Sequence, residues 1–425
     1  MTNQPEPKPT EQDAILGGDV PAPAKAAVLG GMGQVQQRLN DAELSVKFVA
    51  MKDCLNYGSE GISHIVQALQ DPLPRTQYEA YRLLKGRSDS LAKEALKHHR
   101  FWTHFEKLDG LPNRHAQMFA NRQVENFETS LPTHNLATKA FGIRQYRQSW
   151  NQQQYEETAD TKLSRLLQSE QARFVEALVF GFSGWYSNEL IETLAQSRDR
   201  LPQLTALFVG DIEDQEMMIS DLSQGDLSDV LDVCPQLEIL RVRGSVHLPL
   251  DNQNGQRDSK IRHENLLALT LENSGLSRET VNNLCRLELP TLEYLELWLG
   301  SPGCGGTSSI EDLMPIVSGE VFPNLKYLGL RNCEYADDIA INLARSLPRT
   351  SLIELDLSMG TLSETGVESL LSSHIVSGID VLDVSQTCLS RELAPQYFAE
   401  LDCLVLYDRL QYQSDPKERG CIVRE

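Results

Sequence analysis

Apolar residues return along the second half of the chain in one fixed phrase, apolar-x-x-Leu-x-apolar. The phrases begin at Val175, Leu204, Leu237, Leu266, Leu292, Leu325, Leu352, Ile379 and Leu401, and every fourth position is leucine, from Leu178 to Leu404. The sixth positions are Phe180, Val209, Val242, Leu271, Leu297, Leu330, Leu357, Val384 and Leu406. Alternation of period two predicts a short strand in each phrase. Behind several strands apolar residues recur at three and four, as in Val281, Leu284 and Leu287, or Ile339, Leu343 and Leu347. That spacing predicts a helix. Ser277, Ser363 and Ser390 stand where an N-cap oxygen is expected, and Pro202, Pro235, Pro290 and Pro323 fix the turns from helix back to strand.

A strand-plus-helix unit of about 28 residues cannot bury its own apolar edge, so neighbours stack into one core. The expected fold class is therefore α/β: a leucine-rich-repeat solenoid of the ribonuclease-inhibitor kind over 171–425, with a parallel sheet on the concave face and helices on the convex one. Upstream the pattern differs. Residues 1–33, rich in proline and glycine, read as a flexible tail. Over 34–100 four helices are expected, carrying Leu44, Phe48, Met51 and Leu55; Ile62, Ile65, Val66 and Leu69; Tyr78, Tyr81, Leu83 and Leu84; and Leu91, Ala95 and Leu96. Gly58 is read as the end of the first. Residues 101–170 read as a connector and N-terminal cap, closing on a helix from Thr161 to Phe174 with Leu163, Leu166, Leu167 and Phe174 inward.

Two resemblances sharpen this. The run from Gly61 to Asp71 with Ala80 and Leu83-Leu84 resembles a short HEAT-type repeat, which implies an all-α HEAT-like module at the N-terminus. Residues of about 100–425 resemble a largely uncharacterised bacterial family of ribonuclease-inhibitor-like leucine-rich-repeat proteins. The match rests on Leu207 to Ile212, Leu240 to Gly244, Leu295 to Gly300, Tyr327 to Asn332 and Leu355 to Leu362. The Asp-rich insert and the last two repeats match less closely. The resemblance implies a fold and a binding role, and no established reaction.

Charge adds a direction. The chain holds 39 basic and 60 acidic residues, a net charge of −21. Residues 1–170 carry 20 of each, so 171–425 holds the whole excess. Such a field disfavours nucleic acid and anionic membrane and steers basic partners inward. No apolar run is long enough to span a bilayer, the first residues do not resemble a secretory signal, and eight cysteines occur without a Cys-x-x-Cys pair. These features suggest a cytoplasmic protein with reduced thiols.

Positions three, five and seven of each phrase point away from the core. They gather Phe208; Arg241 and Arg243; Thr270 and Glu272; Tyr294, Glu296 and Trp298; Tyr327 and Arg331; Glu354, Asp356 and Ser358; Asp383 and Ser385; Val405 and Tyr407. Exposed Tyr, Trp and Arg anchor interfaces. The expected function is non-catalytic binding of a protein partner with a basic surface, through Arg241, Arg243, Tyr294, Glu296, Trp298, Tyr327, Arg331, Glu354, Asp356 and Asp383. The alternative is an enzyme accessory subunit, or a metal-dependent hydrolase using Glu354, Asp356 and Asp383. No nucleophile with a base is evident among these positions, and no cofactor or metal is expected. Asp226, Asp229 and Asp232, with Asp211, Glu213, Asp214 and Glu216 upstream, read as a solvated acidic face that could contact a basic partner. His98, His99 and His104 lack zinc-helix spacing, and Gly30 to Gly33 lacks the context of a phosphate loop. The loop Gly300 to Gly306 interrupts the repeat behind Trp298.

Overall fold

The computed structural model describes residues 31–41, 43–71, 74–84, 87–97, 108, 110–145, 157–183, 189–248, 261–346, 351–401, 403–413 and 415–424. The expected tail, apart from residues 31–33, and the three histidines lie outside them. The chain divides into two compact units, residues 1–102 and 103–425.

The first unit holds five helices among its described residues: α1 (Met32–Leu39), α2 (Leu44–Cys54), α3 (Gly58–Ala68), α4 (Pro74–Leu84) and α5 (Ser90–Lys97). The expected four are all present, and α1 is additional. Gly58 opens α3 instead of closing α2. Its φ of +55° is the left-handed bend that reverses the chain after Tyr57. Ile62, Ile65, Leu69, Tyr81 and Leu84 are buried together with Met51 and Cys54.

The second unit is mixed α/β, built on a long, mostly parallel sheet. Its strands are β1 (Met118–Phe119), β2 (Arg122–Asn126), β3 (Lys139–Ile143), β4 (Ala177–Phe180), β5 (Ala206–Val209), β6 (Ser223–Asp226), β7 (Ile239–Arg243), β8 (Ser245–His247), β9 (Ala268–Glu272), β10 (Tyr294–Gly300), β11 (Tyr327–Cys333), β12 (Glu354–Asp356), β13 (Val381–Asp383) and β14 (Leu404–Leu406). Strands β6 and β8 pair separately, and the other twelve follow one another in chain order. Among the strands described, β1 and β2 pair antiparallel and the other pairs are parallel. Helices α6 (Ala159–Gln168), α7 (Glu189–Gln196), α8 (Leu227–Val233), α9 (Arg278–Leu284), α10 (Ile310–Ser318), α11 (Ala336–Arg345), α12 (Glu364–Leu371) and α13 (Ala394–Phe398) alternate with the later strands.

Each of the nine phrases supplies a strand. Leucine pairs with leucine at the fourth position from Leu178–Leu207 to Leu355–Leu382. These leucines and the sixth-position residues through Val384 share one continuous core with the helices. Each such burial stabilises by roughly 1.5–3 kcal/mol. The expected connector also departs from its reading: β1, β2 and β3 extend the sheet, with Phe141 standing in register with Leu178 where a leucine would be. The helix expected over 161–174 is α6 followed by a 3₁₀ turn from Glu170. Leu163, Leu166 and Leu167 are buried as expected, whereas Phe174 is exposed under the Arg173 guanidinium.

The ninth strand is shifted by one residue. Leu382 pairs with Val405, and Leu404 with Val381. Val405 therefore packs on the core with Leu401 and Cys403, and Tyr407 meets the core residue Phe398 at 5.4 Å. The expectation that Val405 faces outward is thus corrected, whereas Tyr407 is exposed as expected while its ring touches Phe398. A slip of one residue exchanges the two faces of a strand. Gly244, Asn332, Met359 and Gln386 turn left-handed at the eighth position of their phrases, and Gly300 and Arg409 at the ninth.

Candidate functional site

The residues expected to form an interface do collect on the face of the sheet opposite the helices, but as a buried polar network. Arg241, Arg243, Tyr294, Glu296, Trp298, Tyr327, Arg331, Glu354, Asp356 and Asp383 are all buried, with Trp298 and Asp356 at 0% exposure. Period-two alternation sets their direction correctly. Their exposure had to be corrected, because other segments of the same chain lie over the face.

Glu296 stands at the centre. It accepts hydrogen bonds from Trp298 Nε1 at 2.7 Å, Arg331 Nη1 at 2.7 Å and the Tyr294 hydroxyl. Tyr327 Oη donates to Asp356 Oδ2 at 2.9 Å, and its ring stacks on Tyr294 at 4.0 Å. Gly329 makes that stack possible. It occupies the position between Glu296 and Asp356 in the ladder, and a Cβ there would fall 2.8 Å from the Tyr327 ring. Arg331 also donates to Ser358 Oγ at 2.9 Å and lies 3.5 Å from Asp356.

Burial pushes the Tyr294 and Tyr327 hydroxyls well above their ordinary pKa, and the Glu296 charge beside Tyr294 and the Asp356 charge beside Tyr327 push further the same way. Both stay protonated donors and offer no phenolate base. For Arg331, burial opposes the charge, but Glu296 and Asp356 outweigh it and raise the guanidinium pKa well above normal.

A second cluster joins the arginines. Arg241 and Arg243 both pair with Glu272, through Nε contacts of 2.9 and 2.8 Å, and both lie over the Phe208 ring. Burial works against the Glu272 charge, yet the two guanidiniums hold its carboxyl below the usual range. Arg243 Nη1 donates to the Ile212 carbonyl at 2.9 Å. A cavity of about 640 Å³ opens on this end, lined by Arg114, Arg241, Arg243, Arg409, Asp214 and Leu108 among others.

Two of the three carboxylates expected for acid–base work, Asp356 and Asp383, are committed locally. Asp356 accepts from its own strand end, the Ser358 amide at 3.0 Å, and Asp383 does the same with the Ser385 amide at 2.9 Å and its hydroxyl at 2.6 Å. Among the described residues no group of three or more His, Cys, Asp or Glu side chains is arranged to hold a metal ion. The acidic insert is likewise divided. Asp226 caps α8 by accepting the Ser228 amide at 2.7 Å. Asp211, expected on a solvated face, is fully buried, accepting from Arg144 Nε at 2.9 Å and from the Ala116 amide at 3.0 Å.

What covers the centre was not evident in the sequence. Val423 packs with Trp298, Met359 and Ile219, and Leu108, Leu111 and Ile422 lie against that group. Arg331 Nη2 donates to the Leu108 carbonyl at 2.6 Å. Asn332, which the phrase reading passed over, donates from Nδ2 to the Val423 carbonyl and accepts the Val423 amide at Oδ1, both at 2.8 Å. Its position eight, shared with left-handed Gly244, Met359 and Gln386, was the available signal. The loop Gly300 to Gly306 folds back on the preceding turn, with the Ser301 amide donating to the Ser274 carbonyl at 2.9 Å. A Cβ on Gly300 would meet that carbonyl oxygen at 1.7 Å, and the Cys421 thiol reaches the Gly300 carbonyl.

No helix among the described residues is long and apolar enough to cross a membrane. No family model matches the chain, and no curated protein does either. Among solved structures, the chain is similar to a Bacteroides fragilis protein whose crystal structure was determined by the Northeast Structural Genomics Consortium. The two are 24% identical, with a TM-score of 0.55, over 62% of this chain and 73% of that one. The likeness is one of fold.

Proposed function

We propose that the chain is a non-catalytic protein-recognition module, built on a leucine-rich-repeat solenoid of ribonuclease-inhibitor type with a HEAT-like helical module before it. The observation that carries this reading is the sheet face itself. Successive in-register strands gather Arg241, Arg243, Tyr294, Glu296, Trp298, Tyr327, Arg331, Glu354, Asp356 and Asp383 on one face of the sheet, which other segments of the same chain now cover. Repeat folds use such continuous faces to bind, and Tyr, Trp and Arg are the side chains that carry interface energy. The partner is a protein with a basic surface, because the whole excess of negative charge lies in residues 171–425.

Because Glu296 and Asp356 are buried and paired, reversing their charge would unfold the network and test nothing about a partner. Exposed Glu334 and Asp338, just beyond β11, are the better probes. The partner is isolated by affinity capture from the native host and its binding to the purified chain measured by calorimetry over a salt series. A Glu334→Lys, Asp338→Lys double variant is expected to weaken binding about ten-fold and to flatten the salt dependence. Unchanged affinity and salt slope in the folded variant would remove the acidic surface from the reading.

A further inference from the structure

Within Gly420 to Arg424, a stretch that is neither strand nor helix, Val423 packs on Trp298 and Ile422 lies against the same group. Their attachment has a form that goes beyond filling a gap. Asn332 is fully buried, and both polar atoms of its side chain are spent on the backbone amide and carbonyl of one residue, Val423. A side-chain amide that pairs with both the N–H and the C=O of one residue reads that residue's backbone and leaves its side chain to be selected by the slot. The Ile422 amide adds a bond to the Met359 carbonyl at 3.0 Å. The Val423 side chain enters the slot formed by Trp298, Met359 and Ile219, which sets the size and polarity accepted there.

Flanking charge has a sign as well. Arg419 lies 3.9 Å from Asp337, and exposed Glu334 and Asp338 stand beside the same strand end. Meanwhile residues 411–413, with Tyr412 at 52% exposure, approach along the surface. The segment is reached through exposed chain, and an incoming peptide displaces it by remaking the Asn332 and Met359 bonds that now hold it.

We propose that the sheet face around Trp298, Asn332 and Met359 is a groove for an extended peptide bearing a β-branched apolar residue with arginine nearby, and that Gly420–Arg424 occupies it in cis. The partner presents such a segment and displaces the chain's own, uncovering Trp298. This deepens the recognition reading above and rests on it for the partner, while its test needs no partner.

The probe is a fluorescent peptide with the sequence of residues 417–425, serine replacing cysteine, followed by anisotropy. In the full chain, Val423→Asp vacates the slot while leaving Asn332 in place. Peptide binding to this variant is expected to be at least about ten-fold tighter than to the wild-type chain, since two hydrogen bonds of ~1 kcal/mol each and an apolar contact no longer compete. Adding Asn332→Ala is expected to lose about ten-fold or more. A folded Val423→Asp chain that ignores the peptide, or binds it equally well with Asn332→Ala, would overturn the proposal. Should Val423→Asp not fold, amide exchange on the wild-type chain decides: excess peptide is expected to release protection of residues 420–424, and unchanged protection would overturn it. Failure of these assays leaves partner binding elsewhere intact, and peptide binding without any captured partner leaves the groove intact.

Discussion

Glu272 lies fully buried between two arginines, and its energetics follow from that arrangement. Its folded pKa is depressed, so its contribution is present above the unfolded value of roughly 4.3 and is lost as pH falls through that value toward the folded one. Glu272→Gln leaves Arg241 and Arg243 buried without their shared carboxylate. The expected cost at pH 7 is about 3–5 kcal/mol. Urea unfolding at pH 7 and again below pH 4 should show the penalty shrinking, because protonation removes the same charge from the wild type. A penalty constant with pH would mean that packing, not charge, fixes this residue. At this scale the sequence was informative about direction and blind to burial. Alternation placed Trp298, Arg331 and Asp356 on the correct face, but their covering comes from Leu108 and Val423, residues distant in the chain that no local period connects to them.

Within elements, the nine phrases were legible because each repeats one physical demand, a leucine facing a common core. Where a position was satisfied differently, the reading failed. Phe141 does the work of a leucine, so β3 was missed. Of the three expected serine caps, Ser277 accepts the Thr280 amide at 3.0 Å, whereas the Ser363 hydroxyl donates to Asp337 and α13 begins after Leu393 instead of at Ser390. In β14 the phrase begins one residue early, because Leu401 and Val405 both touch the core and Leu404 does not. The shifted register makes a sharp prediction. Val405→Asp should destabilise the second unit by about 2–3 kcal/mol, and Leu404→Asp by less than about half of that, as read from urea midpoints. The unshifted register would reverse the order.

For the molecule as a whole, the two units each have their own packing, and the excess negative charge falls in the second. The sequence shows that division in its change of period from 3.6 to two, and the structure places residues 118–143 with the sheet because β1, β2 and β3 join it. The central claim is that the sheet face opposite the helices receives a partner. Amide hydrogen exchange, with the captured partner absent and present, tests it most directly. Partner binding is expected to change exchange at the ends of β10, β11 and β12 and to release residues 420–424 from protection. Changes confined to the convex helices α9–α12 or to α1–α5, with residues 420–424 unaltered, would contradict it.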